Sequence, residues 1–447
     1  MKRVCQYSAD RITSLPIDVV HRILVFLPIK DAAKTSVLSS KWRHQWRSIP
    51  QLCFDSRFAQ IITEAESESK VRSKLTMLNI YKALLLHDWP ITKFELSIPG
   101  LVSCDDEMDL IVLYLSNKGV QDFTLWFEGL DPNYAYQMHS SLFSALHLKS
   151  LELQCCEFTP PSWFDGFSKL TDLRIGESDL PYDFFQNFLA KCPMLEYLMV
   201  IDCDGPPDKL EIVSPSLKSF HFAGALKGIS FKGTPLLSFV ALFLYEPDIH
   251  DMATLFASIP TIQKFCTNGG FLQNLTAGHR NVPSSRLPSP LHQLEVLEII
   301  DLDFDSLDRE HGFVCLIMSS PNLHRLKIQL NPSMLDDQPT KNEVSSIRRL
   351  LEADDCFGSS KCLQHLREFT IEDSCGTQVE LDLVRFVLAT APLLRLVHIT
   401  AAHTLSSKMV MKFSMEALRY KRVSKEAEFV YPWVDKDNDW EFVAFAR

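Results

Sequence analysis

No stretch of this sequence is apolar for long enough to cross a bilayer. The longest apolar run, Leu236–Tyr245, is about half of what a spanning helix requires. The opening MKRVCQYSADR has no apolar core of the kind a secretory leader carries. The twelve cysteines are therefore expected to be reduced thiols of an intracellular protein, in the cytoplasm or nucleus, rather than a disulfide framework. Positive charge is also scarce. Forty-five Lys and Arg against 56 Asp and Glu leave a net charge of −11 with no long basic run, which argues against nucleic acid as the main partner.

Glycine is sparse too, at fifteen residues, and GALKGISFKG lacks the spacing of a phosphate-binding loop. There is no HExxH and no paired CxxC. Cys155 and Cys156 are adjacent and Cys356 and Cys362 are six apart, so both pairs read as core or loop thiols. Asp301, Asp303 and Asp305 alternate like the start of a calcium loop. Such a loop has Gly at its sixth position and Glu at its twelfth, whereas this chain has Ser306 and Gly312. The Asn274-Leu275-Thr276 sequon is a pattern only, without a secretory route. Neither an enzyme nor a metal or cofactor is expected.

What is present points to binding. An apolar content of 46% and a charged content of 23% are ordinary for a soluble globular chain with room for two or three domains. The densest segment is DRITSLPIDVVHRILVFLPIKDAAKTSVLSSKWRHQW, Asp10 to Trp46. Val20, Ile23, Leu24 and Leu27 recur at helical spacing, with Val19 and Phe26 widening the face. Pro16 opens this helix and Pro28 stops it. Ala32, Ala33, Val37 and Leu38 follow on a second piece, then Trp42 and Trp46. A stretch below about 40 residues rarely folds alone, so its apolar surplus is expected to cover another surface.

That pattern, LPxDVxxxILxxLPxKDAxxTSxLSxxWR, resembles the F-box of plant F-box proteins at nearly every position from Ile12 to Arg43. The resemblance implies docking onto the Skp-type adaptor of a cullin-RING ubiquitin ligase, with Leu15, Pro16, Ile17, Ile23, Leu24, Leu27, Pro28, Val37, Leu38 and Trp42 as the anchor. Lys30, Lys34, Lys41, Arg43, His44 and Arg47 make this segment basic, either to suit an acidic partner or as a solvated face.

A charged helical connector follows, residues 57–90. The template L-x-x-L-x-L then starts at Ile91, Val120, Leu148, Leu170, Leu195, Leu217, Leu237, Ile262, Leu294, Leu323, Leu366 and Leu394. Most intervals fall near the 20–29 residues of a leucine-rich repeat, and the longer ones hold insertions at Gly278–His292 and Asn331–Glu343. Pro just upstream of several copies ends a return segment. The pattern predicts an α/β fold: a helical N-terminal segment, then a solenoid of parallel strands over residues 91–360. Leu363–Ile399, with a helix from about Glu380 to Thr390, and Glu416–Pro432 resemble the FBD domain at the C-terminus of plant F-box/leucine-rich repeat proteins. The implied domains are an F-box at 8–56, an FBD domain at 361–433 and a short tail at 434–447.

In such repeats alternate strand residues face outward. Tyr197, Met199 and Ile201, then Phe239 and Phe243, are outward by parity and apolar, with Arg325 and Lys327 beyond them. This patch is expected either to hold a target protein or to be covered by loops. The family resemblance implies a non-catalytic substrate receptor. The alternatives are a scaffold that binds the adaptor without promoting ubiquitin transfer, or a ligand receptor or enzyme built on the repeats.

Overall fold

All twelve template copies form strands, and each strand begins two residues after the template's first residue. In one compact unit, Met1–Pro207 with Val213–Leu217, these are Lys93–Ser97, Asp122–Trp126, Ser150–Gln154, Asp172–Gly176 and Tyr197–Ile201. In the other, Asp208–Ile212 with Lys218–Arg447, they are Ser219–Gly224, Phe239–Leu244, Lys264–Asn268, Val296–Leu302, Arg325–Leu330, Glu368–Ser374 and Leu396–Ala401. The division between units falls inside the repeat region. The computed structural model describes residues 12–55, 58, 69–97, 104–127, 135–205, 209–245, 255–276, 286–304, 306–331, 347–348, 351 and 362–430. The tail at 434–447, Cys356 and most of the two insertions lie outside these residues.

Within each unit neighbouring strands are parallel, with no strand inserted between successive repeats. Register follows from the pattern itself. The template's first, fourth and sixth positions point to one side and are buried, as at Leu148, Leu151 and Leu153 or at Leu294, Leu297 and Ile299. A one-residue slip would turn every one of them to the opposite face. The backbone fixes the same register. The Lys149 carbonyl accepts from the N–H groups of both Thr171 (2.8 Å) and Asp172 (3.0 Å), and the Thr171 carbonyl in turn accepts from Glu196 and Tyr197. Gln263, Glu295 and His324 repeat this arrangement in the second unit.

At the strand ends, or at a bulge just inside them, the chain bends the same way in several repeats. Cys155, Glu177, Asp202, Asp301 and Asp373, each the eighth position of its repeat, have φ between 46° and 58°. Asp tolerates this left-handed region better than most side chains, which accounts for three of the five. Asp301 therefore marks a bulge inside its own strand, where the pairing with Arg325–Leu330 shifts register, and Asn331 Nδ2 donates to it. Asp303 is engaged by Arg309, and Asp305 lies outside the described residues. The Asp301 and Asp303 carboxylates are thus used in backbone geometry and an ion pair.

Return segments cover the inner face of the strands. In the first unit Phe143, Phe158, Phe164, Phe167, Phe184 and Phe188 pack with neighbouring ring centroids 4.9–6.2 Å apart. In the second, three returns carry helices of twelve or thirteen residues: Leu307–Met318, Gln378–Thr390 and Ser407–Arg419. The helix expected from about Glu380 starts two residues earlier, because Thr377 and Glu380 form a reciprocal cap at its N-terminus. Glu380 is buried yet accepts from the Ser374 hydroxyl (2.6 Å), the Thr377 hydroxyl (2.8 Å) and the Gly376 and Thr377 N–H groups. Asn274 is buried and its amide donates to the Gly270 carbonyl, which closes the sequon to a glycan.

Six of the described strands have no template, and two of them pair with a template strand. Gln51–Phe54 pairs with Lys93–Ser97, and Glu428–Val430 pairs with Leu396–Ala401. The first joins the N-terminal helices to the repeats. That joint is reinforced by His87 Nε2, 2.7 Å from the Ile49 carbonyl, by Arg47 Nε donating to the Leu86 carbonyl at 2.6 Å, and by the Asp88 N–H on the Arg47 carbonyl. Burial lowers the His87 pKa from 6.5, so the imidazole is held neutral there. The connector's helix is Ser69–Leu86.

Candidate functional site: an apolar face on the N-terminal helices

The segment from Ile12 to Ile49 folds into helix α1, Ile17–Val25, helix α2, Ile29–Lys34, and two short 3-10 turns, Thr35–Val37 and Gln45–Ser48. Pro16 and Pro28 are the residues just before α1 and α2. Their fixed φ and missing N–H suit a helix start. The inside of this small assembly is Val20, Leu24, Ile29, Ala32 and Trp42, with Leu24 and Ala32 fully enclosed and Trp42 only 2% exposed.

That inventory separates the sequence-derived anchor residues into two groups. Leu24 and Trp42 are core, so they hold the helices together and present no surface to a partner. Leu15, Leu27 and Pro28 are half-buried. Pro16, Ile17, Ile23, Val37 and Leu38 are exposed. Val37 stands out at 87%, and so does Phe26 at 89%, although the sequence places Phe26 on the width of the inward face. The reason is a second stripe on α1. Val20, Leu24 and Leu27 run along its inner side, while Val19, Ile23 and Phe26, also spaced i, i+4 and i+7, run along the outer one. Both stripes obey the same period, so periodicity alone cannot tell them apart. Ile12 and Val19 join the exposed set. So many large apolar side chains left in water on so short a segment mark a partner surface. Of the basic residues nearby, Lys34 pairs with Asp31 at 2.7 Å and Arg47 is spent on the joint, while Arg43 and His44 are exposed.

The outward patch on the repeats is built differently in each unit. In the first, Tyr197, Met199 and Ile201 are half-buried and alternate with buried Leu198 and Val200, as parity requires. The Arg174 guanidinium lies 4.7 Å above the Tyr197 ring and is held by Asp172 at 2.9 Å. Burial holds the nearby Glu152 carboxyl above its ordinary range, with Arg174 opposing. In the second unit Phe239 is half-buried, edge-on to His221 at 4.7 Å with Lys264 Nζ above its ring at 4.9 Å. Phe243, expected to face outward into water, is buried, and so are Ala241, Ala223 and His221. Strands Ser219–Gly224 and Phe239–Leu244 are enclosed on both faces, where alternation carries no information about exposure. Arg325 and Lys327 are each already matched, to Glu368 at 2.6 Å and Glu372 at 2.9 Å, so the basic edge is neutralised by the next strand.

The described cysteines are all free thiols. Burial pushes Cys104, Cys192 and Cys315 up to about 11 and Cys203 and Cys266 up to about 12, which keeps them protonated and poor nucleophiles. No helix among the described residues is long and apolar enough to cross a membrane.

Comparison with known proteins agrees with this geometry. Residues 12–53 match the F-box domain model, ending at the strand that joins the helices to the repeats. Residues 108–328 match the model described as FBD-associated F-box protein At5g56370, LRR repeats. The chain is 32% identical over 435 residues, 95% of its length and 99% of the relative's, to F-box/FBD/LRR-repeat protein At1g13570 of Arabidopsis thaliana. It is 38% identical over 354 residues, 72% of its length and 74% of the relative's, to F-box/FBD/LRR-repeat protein At2g04230 of the same plant. It is also 25% identical over 450 residues, 94% of its length and all of the relative's, to FBD-associated F-box protein At5g56370. With a helical segment that presents an outward apolar face and is joined to parallel repeats, and with a match over nearly its whole length, the chain belongs to the F-box/FBD/LRR-repeat protein family.

Proposed function

We propose that this chain is the substrate-recognition subunit of an SCF-type cullin-RING ubiquitin ligase, acting in the cytoplasm or nucleus and performing no covalent chemistry itself. The observation that supports this most is the exposed face of Ile17, Val19, Ile23, Phe26, Val37 and Leu38, carried on helices whose own core is complete without it. An F-box domain binds a Skp-type adaptor, and this face is the surface available for it. The repeats then offer a rigid second surface for a target protein. Holding both at once raises the local concentration of target lysines near the ubiquitin-conjugating enzyme. On the repeats, the half-buried Tyr197, Met199 and Ile201 of the first unit are the favoured target contacts. Phe239, Phe243, Arg325 and Lys327 contribute less, given Phe243's burial and the two ion pairs.

The test is paired. The chain and a Phe26→Asp/Val37→Asp variant are expressed in plant cells with proteasome activity blocked. Adaptor co-purification and ubiquitin conjugates on captured proteins are then measured. The proposal expects both to be lost in the variant while target capture persists. Adaptor binding with no change in conjugates would favour a scaffold that does not promote transfer.

A further inference from the structure

Charge is spread unevenly along this chain. Residues 91–205 hold 18 Asp and Glu against six Lys and Arg, whereas the rest of the chain is balanced at 38 against 39. Such an imbalance bears on association rather than on fold. The stretch lies within the first unit. On the outward face of its strands both cations are already committed. Lys93 pairs with Glu95 at 3.0 Å, and Arg174 with Asp172 and the Tyr197 ring. Asp122 and Glu152, half-buried on the same face, have no cation within ion-pair distance among the described residues. The second unit is built the other way: Lys264, Arg325 and Lys327 on its strands are matched by Glu298, Glu368 and Glu372. In the first unit the acids continue at the strand ends. Glu157, Asp179 and Asp204 are neighbours through parallel bridges, again without a cation partner among the described residues. Like charges on adjacent strands oppose folding, so this row lowers stability with no offsetting cation.

The same face has room for a backbone. Gly176 is the outward residue between Gln154 and Ile201 on the paired strands. Its φ is not in the left-handed region, and a β-carbon there would meet nothing closer than the Ile201 carbonyl oxygen at 3.8 Å. Neither crowding nor backbone geometry demands glycine, and its presence lets another backbone approach the sheet. Glu152 lies one strand over and two residues back, about 8 Å away by strand spacing and rise, within reach of a Lys or Arg side chain. We infer that this face holds a basic segment of the target protein. The segment's backbone passes over Gly176, one Lys or Arg seats at Glu152, further basic side chains meet Asp179 and Asp204, and apolar side chains lie on Tyr197 and Met199. This rests on the target-receptor reading above and adds the chemistry of the target. Opposite charge sets the choice of partner and the speed of encounter, and the same face rejects an acidic segment.

The full chain is panned against a random-peptide display library, and the enriched peptides are synthesised and titrated at physiological salt. They should combine Lys or Arg with large apolar residues. Glu152→Gln, close in shape, should weaken them about tenfold. Gly176→Val should weaken them without lowering the unfolding midpoint, because Val suits a strand. Glu426→Gln, which removes an exposed acid of the other unit, should change binding by less than about twofold. Panning Glu152→Lys with Asp179→Lys should return acidic peptides instead, which separates altered recognition from loss of fold. No enrichment would overturn the inference. So would equal weakening by Glu152→Gln and Glu426→Gln, which would mean attraction to net charge alone. Loss of the peptides on Phe26→Asp/Val37→Asp would place them on the helical face and equally overturn it. Peptides without basic residues that are lost on Tyr197→Ala with Met199→Ala would overturn the basic occupant and leave the receptor reading standing. That reading fails by its own result, ubiquitin conjugates that persist in Phe26→Asp/Val37→Asp.

Discussion

Phe26 and Leu24 lie two residues apart at one helix end and do opposite work. Leu24 is wholly enclosed and Phe26 is 89% exposed. Leu24→Ala should therefore cost about 2–5 kcal/mol of stability, as for other buried leucines, seen as a lower unfolding midpoint. Phe26→Asp should leave that midpoint unchanged and reduce adaptor co-purification at least about tenfold, since interface hot spots are worth about 2 kcal/mol or more. Wild-type capture by the Phe26→Asp variant would remove this face from the docking model. His87 gives a pH signature. Its folded pKa lies below the unfolded value of 6.5, so below 6.5 the unfolded chain takes up a proton that the folded one refuses. The stability contributed by neutral His87 is complete above pH 6.5 and is lost as pH falls toward the folded pKa. Urea midpoints between about pH 7.5 and about pH 5.5 should fall less steeply in His87→Gln than in the wild type. Parallel slopes would mean that other groups carry the dependence.

At the scale of elements, the repeat strand is a self-sufficient unit of information. Three buried positions per copy set its face, and the shared carbonyl before each strand sets its register. Leu151 is fully buried between Phe123 and Leu173 on the paired strands. Leu151→Ala should destabilise the protein by about 2–5 kcal/mol, and a loss below about 1 kcal/mol in chemical denaturation would contradict the packing described. The helix Gln378–Thr390 depends on its cap. Thr377→Ala should cost about 1 kcal/mol. Glu380→Ala should cost more, because it strands the Ser374 hydroxyl and two N–H donors at once. If denaturation ranks the two variants the other way, the buried carboxylate is not the organiser of that turn. The strands Gln51–Phe54 and Glu428–Val430 escaped the sequence reading for a physical reason. They are four and three residues long, and they are defined by the edge they pair with rather than by a pattern of their own.

For the whole molecule, the joint between the N-terminal helices and the repeats decides how function can be probed. Removing residues 10–50 would take away the Ile49 carbonyl that holds His87 and the Arg47 contacts to Leu86 and Asp88. It would also detach the strand that begins at Gln51 from its lead-in. A substrate trap made by that deletion should therefore show a lower unfolding midpoint than one made by Phe26→Asp/Val37→Asp, and differential scanning calorimetry of the two distinguishes them. Equal midpoints would show that the helices contribute nothing to the repeats' stability. The surface variant is the cleaner trap for testing the proposed role.

The sequence by itself determined the repeat architecture, the parallel strands, the helix boundaries at Pro16 and Pro28 and the resemblance to the family. Each follows from local rules that leave a period or a terminus in the chain. Only the tertiary structure decided which of two equally periodic stripes on α1 meets water. It also showed that Phe243 is enclosed and that Arg325 and Lys327 are matched by Glu368 and Glu372. Those outcomes depend on neighbours far away in the chain. Parity and periodicity give the direction of a side chain relative to its own backbone, while exposure and charge balance are properties of what the rest of the fold places opposite it.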